Sequence, residues 1–196
     1  IYSLAEIDDI KRIRFMTSHP RDMTDELIGA FGNISKLMPF LHLPVQSGSN
    51  RILKSMNRGH IVEEYVEIIN KLRVVRKDIC FSSDFIVGYP GETEKDFQET
   101  IDLCEQVQFA QAYSFNYSSR PGTPASRKEE LDEEIKKRRL HVLQDLLTKQ
   151  QTTFLERQKN RQHDVLFEKI GRGVNEYVGR TEHFSPVTVL SKENIV

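Results

Sequence analysis

The chain has 196 residues, 38% of them hydrophobic, which is enough to bury a sizeable core and excludes a mini-protein or a disordered tail. Lys plus Arg total 28 against 29 Asp plus Glu, so the net charge of -1 excludes a global field that gathers nucleic acid, and any RNA contact must be local. The two cysteines, Cys80 and Cys104, have no CxxC or CxxxCxxC spacing, which excludes a disulfide framework and a complete cysteine-ligated metal or iron–sulfur set within this chain.

In chain order, residues 12–19 (RIRFMTSH) and 40–46 (FLHLPVQ) alternate in character and end in polar or turn-forming residues, the pattern of strands. Residues 78–91 (DICFSSDFIVGYPG) and 112–122 (AYSFNYSSRPG) repeat the scheme, with Gly and Pro as punctuation. Amphipathic helices are expected between these strands. Leu27, Ile28 and Phe31 follow the cap candidate Thr24; Ile61, Tyr65, Ile68, Ile69 and Leu72 keep a helical period; Phe97, Ile101 and Cys104 follow Thr93. This alternation predicts an α/β fold, about half of a parallel (β/α) barrel, in a chain expected to be an excised piece of a longer protein.

A long charged helix is expected from 129 to about 159, with Leu131, Ile135, Val142, Leu143, Leu146, Leu147 and Phe154 as its apolar stripe and Lys136 to Arg139 among its solvated residues. Beyond Gln158 the segments HDVLFEKI, NEYVGRT and SPVTVL alternate at strand period, which predicts a small, incomplete β domain. The expected domains are therefore 1–157 and 158–196. No segment has the length and apolarity of a bilayer span, so the expected location is cytoplasmic, with no membrane partner.

If Ile13, Phe15, Leu41, Leu43, Val45, Phe81, Phe85 and Val87 face the helices, the opposite face carries Arg14, Ser18, His42, Gln46, Ser82 and Asp84. Closed barrels fill their lumen with apolar layers, so a polar lumen points to an open barrel holding a polar ligand, unless these groups pair with one another. Ligands of parallel α/β folds sit beyond the carboxyl ends of the strands. Here those ends read TSHP, PVQSGS, DFIVGYPGET and NYSSRPGTP. Each alone is compatible with turn chemistry; four on one rim point to a ligand site there. His19 and His42 stand at this rim as acid–base candidates that serve equally well as structural hydrogen-bonding groups.

DFIVGYPGET resembles the GxIxG motif of radical S-adenosylmethionine (SAM) enzymes, with Ile86 and Gly88 at matching positions and Asp84 departing from the usual first Gly. RIRFMTSHPRDMTDELI, LHLPVQSGSNRILKSMNRGH and YSFNYSSRPGTPA together closely resemble the tRNA methylthiotransferases of that superfamily, densely from about Ile10 to Gln158. The terminal residues resemble the start of a TRAM domain, the small RNA-binding β barrel of the same family. The resemblance implies insertion of sulfur and a methyl group at C2 of N6-isopentenyl-adenosine 37 of tRNA. It also implies SAM and two 4Fe-4S clusters as cofactors, a flavodoxin- or ferredoxin-type electron donor, and the tRNA anticodon loop as partner. The cluster cysteines are expected upstream of this chain, so the chain alone is expected to be inactive and to hold no metal.

The matching positions imply SAM contacts from Ser18, Gln46 and Ser47, an adenine wall of Ile86 and Gly88, and backbone groups of Phe115, Asn116 and Tyr117 at the adenine edge. Arg120 suits a SAM carboxylate or an RNA phosphate. Arg51, Lys54 and Arg58, spaced i, i+3, i+7 beside the QSGS loop, are the candidates for the tRNA backbone. Sister methylthiotransferases act on threonylcarbamoyl-adenosine in tRNA or on a ribosomal-protein aspartate. From other classes, an ordinary (β/α) barrel enzyme needs a strand-end carboxylate or lysine, a role only Asp84 fits. A non-catalytic RNA-binding module is the third reading, and salt-dependent RNA binding discriminates it.

Overall fold

Three parallel strands carry the larger unit of the chain, which the computed structural model describes for residues 1–17 and 19–196. Strands β1 (Phe40–His42), β2 (Cys80–Val87) and β3 (Gln111–Asn116) lie in the order β1-β2-β3, with both pairs parallel. Parallel neighbours require crossovers. Helices α3 (Asn50–Ser55) and α4 (Val62–Val75) connect β1 to β2, and α5 (Glu94–Val107) connects β2 to β3. Two helices precede the sheet, α1 (Tyr2–Ala5) and α2 (Asp25–Asn33), and the long α6 (Glu133–Gln158) follows it.

Side-chain caps set the starts of α2, α5 and α6. Thr24 accepts from the Leu27 N–H at 3.2 Å, Thr93 and Asp96 form a reciprocal capping box on α5, and Asp132 accepts from the Glu134 N–H at 2.8 Å. One face of the sheet is apolar: Leu41, Leu43, Val45, Phe81, Phe85 and Val87 are buried together with Ile69, Leu72, Phe97 and Leu143 from the helices. The side chains expected to face the helices do so.

Residues 12–17 do not form the expected strand. Two isolated parallel bridges, Ile13 to Leu37 and Met16 to His42, differ in register by two residues, and Pro39 between them has no N–H to give to a ladder. The 40–46 run is likewise shortened. Pro44 interrupts β1, and pairing with β2 resumes only where the Gln46 N–H donates to the Asp84 carbonyl at 2.9 Å.

The buried face of α6 also departs from the expected stripe. Lys136, Arg139, Leu143, Leu147 and Gln150 are buried, whereas Ile135 and Val142 are exposed. The period is helical but its phase is set by polar partners. Arg139 meets the buried Glu92, Lys136 pairs with Glu130 and Glu133, and Gln150 bridges the Phe109 N–H and the Cys104 carbonyl at 3.0 and 2.8 Å. Beyond it, β4 (Val165–Ile170), β5 (Glu176–Thr181) and β6 (Pro186–Leu190) form an antiparallel sheet in chain order. This small sheet docks at the amino-terminal ends of β1 and β2. The Phe184 ring lies 5.3 Å from that of Phe40, the Arg14 and Arg180 guanidinium groups lie over the Phe184 ring at 3.7 and 4.2 Å, and Arg12 donates to the Arg180 and Asp164 carbonyls at 2.9 Å.

Candidate functional site

The second face of the parallel sheet is polar and open. His42 shares a 2.6 Å hydrogen bond with Ser82, and its Nε2 lies 3.5 Å from the Asp84 carboxylate, so three of the expected lumen groups pair with one another. Beside them, Ile86 is half-buried, and Tyr113 and Phe115, register partners of Asp84 and Ile86, are exposed. Arg14, expected on the same face, is taken up by Phe184 at the opposite end. The remaining lumen surface thus offers aromatic and aliphatic walls around a small polar centre.

At the carboxyl rim, Gln46 adopts φ 76°, an uncommon conformation for a residue with a side chain. Its amide donates to the Asp84 carbonyl and its carbonyl accepts from the Ile86 N–H, both at 2.9 Å, so the strain is held by the sheet. The chain then turns away from the lumen. A Cβ on Gly48 would sit 2.3 Å from the Glu99 carbonyl oxygen, and Ser47 is fully buried, its hydroxyl accepting from the Ser49 N–H at 3.1 Å beside Thr100. Gln46 therefore stays at the rim, whereas the Ser47 side chain faces α5, away from the expected SAM contacts. Ser18, the other expected polar contact here, lies outside the described residues.

After β2 the chain reverses at Gly88, whose φ of +71° only glycine adopts without strain. The space a Cβ would take is occupied by Lys136 of α6, 2.4 Å away, so the glycine is required by packing as well as by conformation. Its N–H donates to the Glu92 carboxylate at 2.8 Å, and Glu92 receives Arg139 at 2.8 Å. Burial pushes the Glu92 carboxyl above its ordinary range, against the pull of the Gly88 N–H and Arg139.

The three basic residues next to the QSGS loop are separated by the structure. Arg51 is paired with Asp96 and donates to the Gly91 carbonyl at 2.6 Å, which makes it a clamp between two rim loops. Lys54 is exposed. Because α3 ends at Ser55, Arg58 does not share its face. Asn57 adopts the left-handed conformation (φ 58°), and the Arg58 N–H returns to the Leu53 carbonyl at 2.9 Å. Arg58 Nε and Nη2 are then buried with no hydrogen-bond partner among the described residues. Burial lowers the Arg58 pKa, partly offset by the nearby Asp84 carboxylate. Adjacent His60 is buried with neither ring nitrogen hydrogen-bonded among the described residues, and its ring lies 5.1 Å from that of His19. Burial, then His19 and Arg58, bring His60 down to about 4, so its imidazole is neutral at pH 7. His19 itself accepts from the Arg21 N–H at 3.1 Å, a structural cap.

On the last parallel strand, Phe115 is exposed on the lumen face, while the Asn116 Oδ1 and Tyr117 hydroxyl are buried without hydrogen-bond partners among the described residues. The Tyr117 ring packs edge-on against Tyr89 at 5.1 Å, and its amide is already donated to the Val87 carbonyl. Arg120, beyond the strand end, is exposed.

The radical SAM superfamily model matches residues 1–104. This chain belongs to the radical SAM superfamily. Across 190 residues it is 55% identical to the tRNA-2-methylthio-N(6)-dimethylallyladenosine synthase of Bartonella tribocorum, covering 96% of this chain and 42% of that enzyme. The synthases of Cereibacter sphaeroides and Ruegeria sp. are 52% and 51% identical and are covered over 44% and 43% of their length. The chain thus spans less than half the length of these relatives. Its fold resembles that of coproporphyrinogen III oxidase (HemN) from Escherichia coli, described as a radical SAM enzyme, with a TM-score of 0.58 and 19% identity over 71% of this chain and 32% of that one.

The superfamily implies SAM and an iron–sulfur cluster, and the residues present fit these groups unequally. The unsatisfied Arg58 guanidinium and Asn116 oxygen, the rim-held Gln46 and the Ile86 wall suit a molecule with a carboxylate, hydroxyls and a flat aromatic base. A cluster does not fit this chain's cysteines. Cys80 and Cys104 are buried on β2 and α5, and burial raises both thiols above their ordinary range, the reverse of what a thiolate ligand needs. Sequence spacing placed Arg58 on a solvated helix face; the signal that reverses this is Asn57-Arg58-Gly59, a turn sequence that ends the helix before Arg58. His60 and a convergence of His163, Glu182 and His183 had no local motif to announce them, since their partners are distant in sequence.

Proposed function

We propose that this chain is the SAM-holding part of a radical SAM tRNA methylthiotransferase acting on N6-isopentenyl-adenosine 37. In this reading residues 1–157 belong to the radical SAM barrel and 158–196 begin a TRAM-like RNA-binding domain. The observation that carries it is the identity above 50% to synthases of that name along 96% of the chain. The cysteines of two 4Fe-4S clusters, and the docking site for a flavodoxin- or ferredoxin-type donor, belong in this reading to the part of the enzyme outside the chain.

When bound, SAM supplies the radical and methyl-transfer chemistry of the superfamily. The chain's own residues bind and orient it. Arg58, recessed at the rim with two nitrogens that have no partner among the described residues, is assigned to the SAM carboxylate in place of an RNA phosphate. Gln46 would hold the ribose, Ile86 would wall the adenine, and the 115–117 segment would meet the adenine edge through the Asn116 side chain and the backbone groups that β2 leaves free. Neutral His60 keeps positive charge beside Arg58 low, so the guanidinium is not opposed by a second cation. Lys54 and Arg120 are exposed and free to contact tRNA phosphates, which position the RNA, while the flipped-out adenine is read within the lumen beside Tyr113 and Phe115.

The test offers the full-length enzyme tRNA bearing isopentenyl-adenosine, tRNA bearing threonylcarbamoyl-adenosine, and the ribosomal protein, with methylthio product detected by mass spectrometry. Product from the isopentenyl substrate is expected. Product only from either alternative overturns the substrate assignment.

A further inference from the structure

At the end of the sheet opposite the rim, three side chains converge where the small β sheet meets the barrel. His163 precedes β4, and Glu182 and His183 lie in the turn between β5 and β6. Glu182 Oε1 is 3.0 Å from His163 Nδ1 and 3.3 Å from His183 Nδ1. The other nitrogen of each ring faces a backbone carbonyl: His163 Nε2 meets the Gln158 oxygen at 3.2 Å, and His183 Nε2 meets the Asp78 oxygen at 3.1 Å. A carbonyl oxygen only accepts, so each Nε2 carries the ring hydrogen in the neutral imidazole and each Nδ1 presents a lone pair. Two nitrogen lone pairs and a carboxylate therefore face one another with no donor among them.

Such a convergence suits a cation. Protonating His163 satisfies its own contact with Glu182, yet Glu182 Oε2 and His183 Nδ1 remain buried without a hydrogen-bond partner among the described residues. One metal ion satisfies all three residues. Nitrogen and carboxylate donors about 2.0–2.2 Å from a tetrahedral zinc lie about 3.3–3.6 Å from one another, close to the separations around Glu182 Oε1. Histidine ligands of metals also commonly donate their second ring N–H to a carbonyl or carboxylate, as both rings do here.

We propose that His163, Glu182 and His183 form a binding site for a divalent ion of the zinc class, completed by solvent, that fastens the β domain to the barrel. The site joins chain segments that otherwise meet through few groups. His163 follows the end of α6, Glu182 and His183 belong to the β5–β6 turn, and His183 reaches Asp78 ahead of β2 and packs on Phe154 of α6 at 6.2 Å. Partial burial leaves the three groups reachable from solvent, with side-chain exposures of 16%, 26% and 10%. Thiolates take no part, since Cys80 donates to the Pro39 carbonyl and Cys104 lies in the main core.

The experiment strips the 196-residue chain with chelator and titrates it with zinc chloride at pH 7.5 by calorimetry, with cobalt(II) spectra and thermal melting in parallel. One ion per chain, a raised melting temperature, and cobalt d–d bands without an intense thiolate charge-transfer band are expected. His163→Gln and His183→Gln should each weaken zinc binding at least about tenfold. Glu182→Gln, which preserves shape, should do the same without lowering the melting temperature of the metal-free chain by more than a few degrees. Substoichiometric binding, a strong thiolate band, or zinc affinity unchanged in all three variants overturns the proposal.

Discussion

Arg139 of α6 and Glu92 in the loop after β2 form a buried ion pair at 2.8 Å, and the same carboxylate receives the Gly88 N–H at 2.8 Å. The long helix thereby fixes the backbone of the rim loop adjoining the candidate SAM site. A buried charge left without its partner is costly, so Arg139→Met should destabilise the chain by about 3–5 kcal/mol in urea unfolding. Adding Glu92→Leu should recover part of that loss, because it removes the stranded carboxylate. A cost below about 1 kcal/mol for Arg139→Met contradicts the clamp.

Gly88→Ala carries two penalties, a left-handed backbone and a Cβ placed against Lys136. The expected cost is about 1–3 kcal/mol. Trimming the obstacle with Lys136→Ala should relieve only the steric share, so a double-mutant cycle in thermal or urea unfolding should show coupling between the two sites. Strict additivity would remove Lys136 from the explanation.

Asp96 gathers Arg51, the Ser49 hydroxyl at 2.7 Å, and both the hydroxyl and N–H of Thr93. Burial raises its pKa, but these four donors together hold the carboxyl well below the ordinary carboxylate value. A carboxyl with a depressed folded pKa adds stability above its unfolded pKa of about 3.9 and loses it as pH falls below that value. Asp96→Asn should cost about 1–3 kcal/mol at pH 7 and flatten the fall in stability between about pH 5 and pH 2. An unchanged acid limb would show that the cluster does not act through ionisation.

His60 predicts a second pH dependence at milder acidity. Its folded pKa of about 4 lies below the unfolded value, so the folded state binds fewer protons and stability falls as pH drops from about 6.5 toward 4. By pH 5 this amounts to about 2 kcal/mol relative to pH 7.5. In chemical denaturation at the two pH values, His60→Gln should lose less stability on acidification than the parent chain by about that amount.

How legible these features were in the sequence depended on how local their causes are. Strand β2 and its Gly88 turn, strand β3, and the caps Thr24, Thr93 and Asp132 are written in short-range alternation and side-chain chemistry, although the Asp132 start shifts α6 four residues beyond the expected position. The 12–19 run alternates as well, yet its pairing depends on the register of a distant segment containing Pro39. Likewise, Lys136 and Arg139 read as solvated because their carboxylate partners on other segments were not visible in the periodicity of α6. At the rim, Gln46 and Ile86 are half-buried, Ile86 between the buried Phe85 and Val87, whereas Ser47 is withdrawn by the close approach of Gly48 to α5.

Arg58 decides the account most directly, since its recessed guanidinium is assigned to SAM while exposed Lys54 is assigned to tRNA. Calorimetric titration of the full-length enzyme with S-adenosylhomocysteine, alongside tRNA binding at several salt concentrations, separates the two. Arg58→Ala should weaken the SAM analogue by at least about tenfold and leave the tRNA salt slope unchanged, as expected for loss of a charge-assisted contact. Lys54→Ala should leave the analogue's affinity intact and reduce the slope by about 0.7–0.9. If Arg58→Ala instead lowers tRNA affinity and its salt slope while the analogue binds as before, the SAM site proposed at this rim is contradicted.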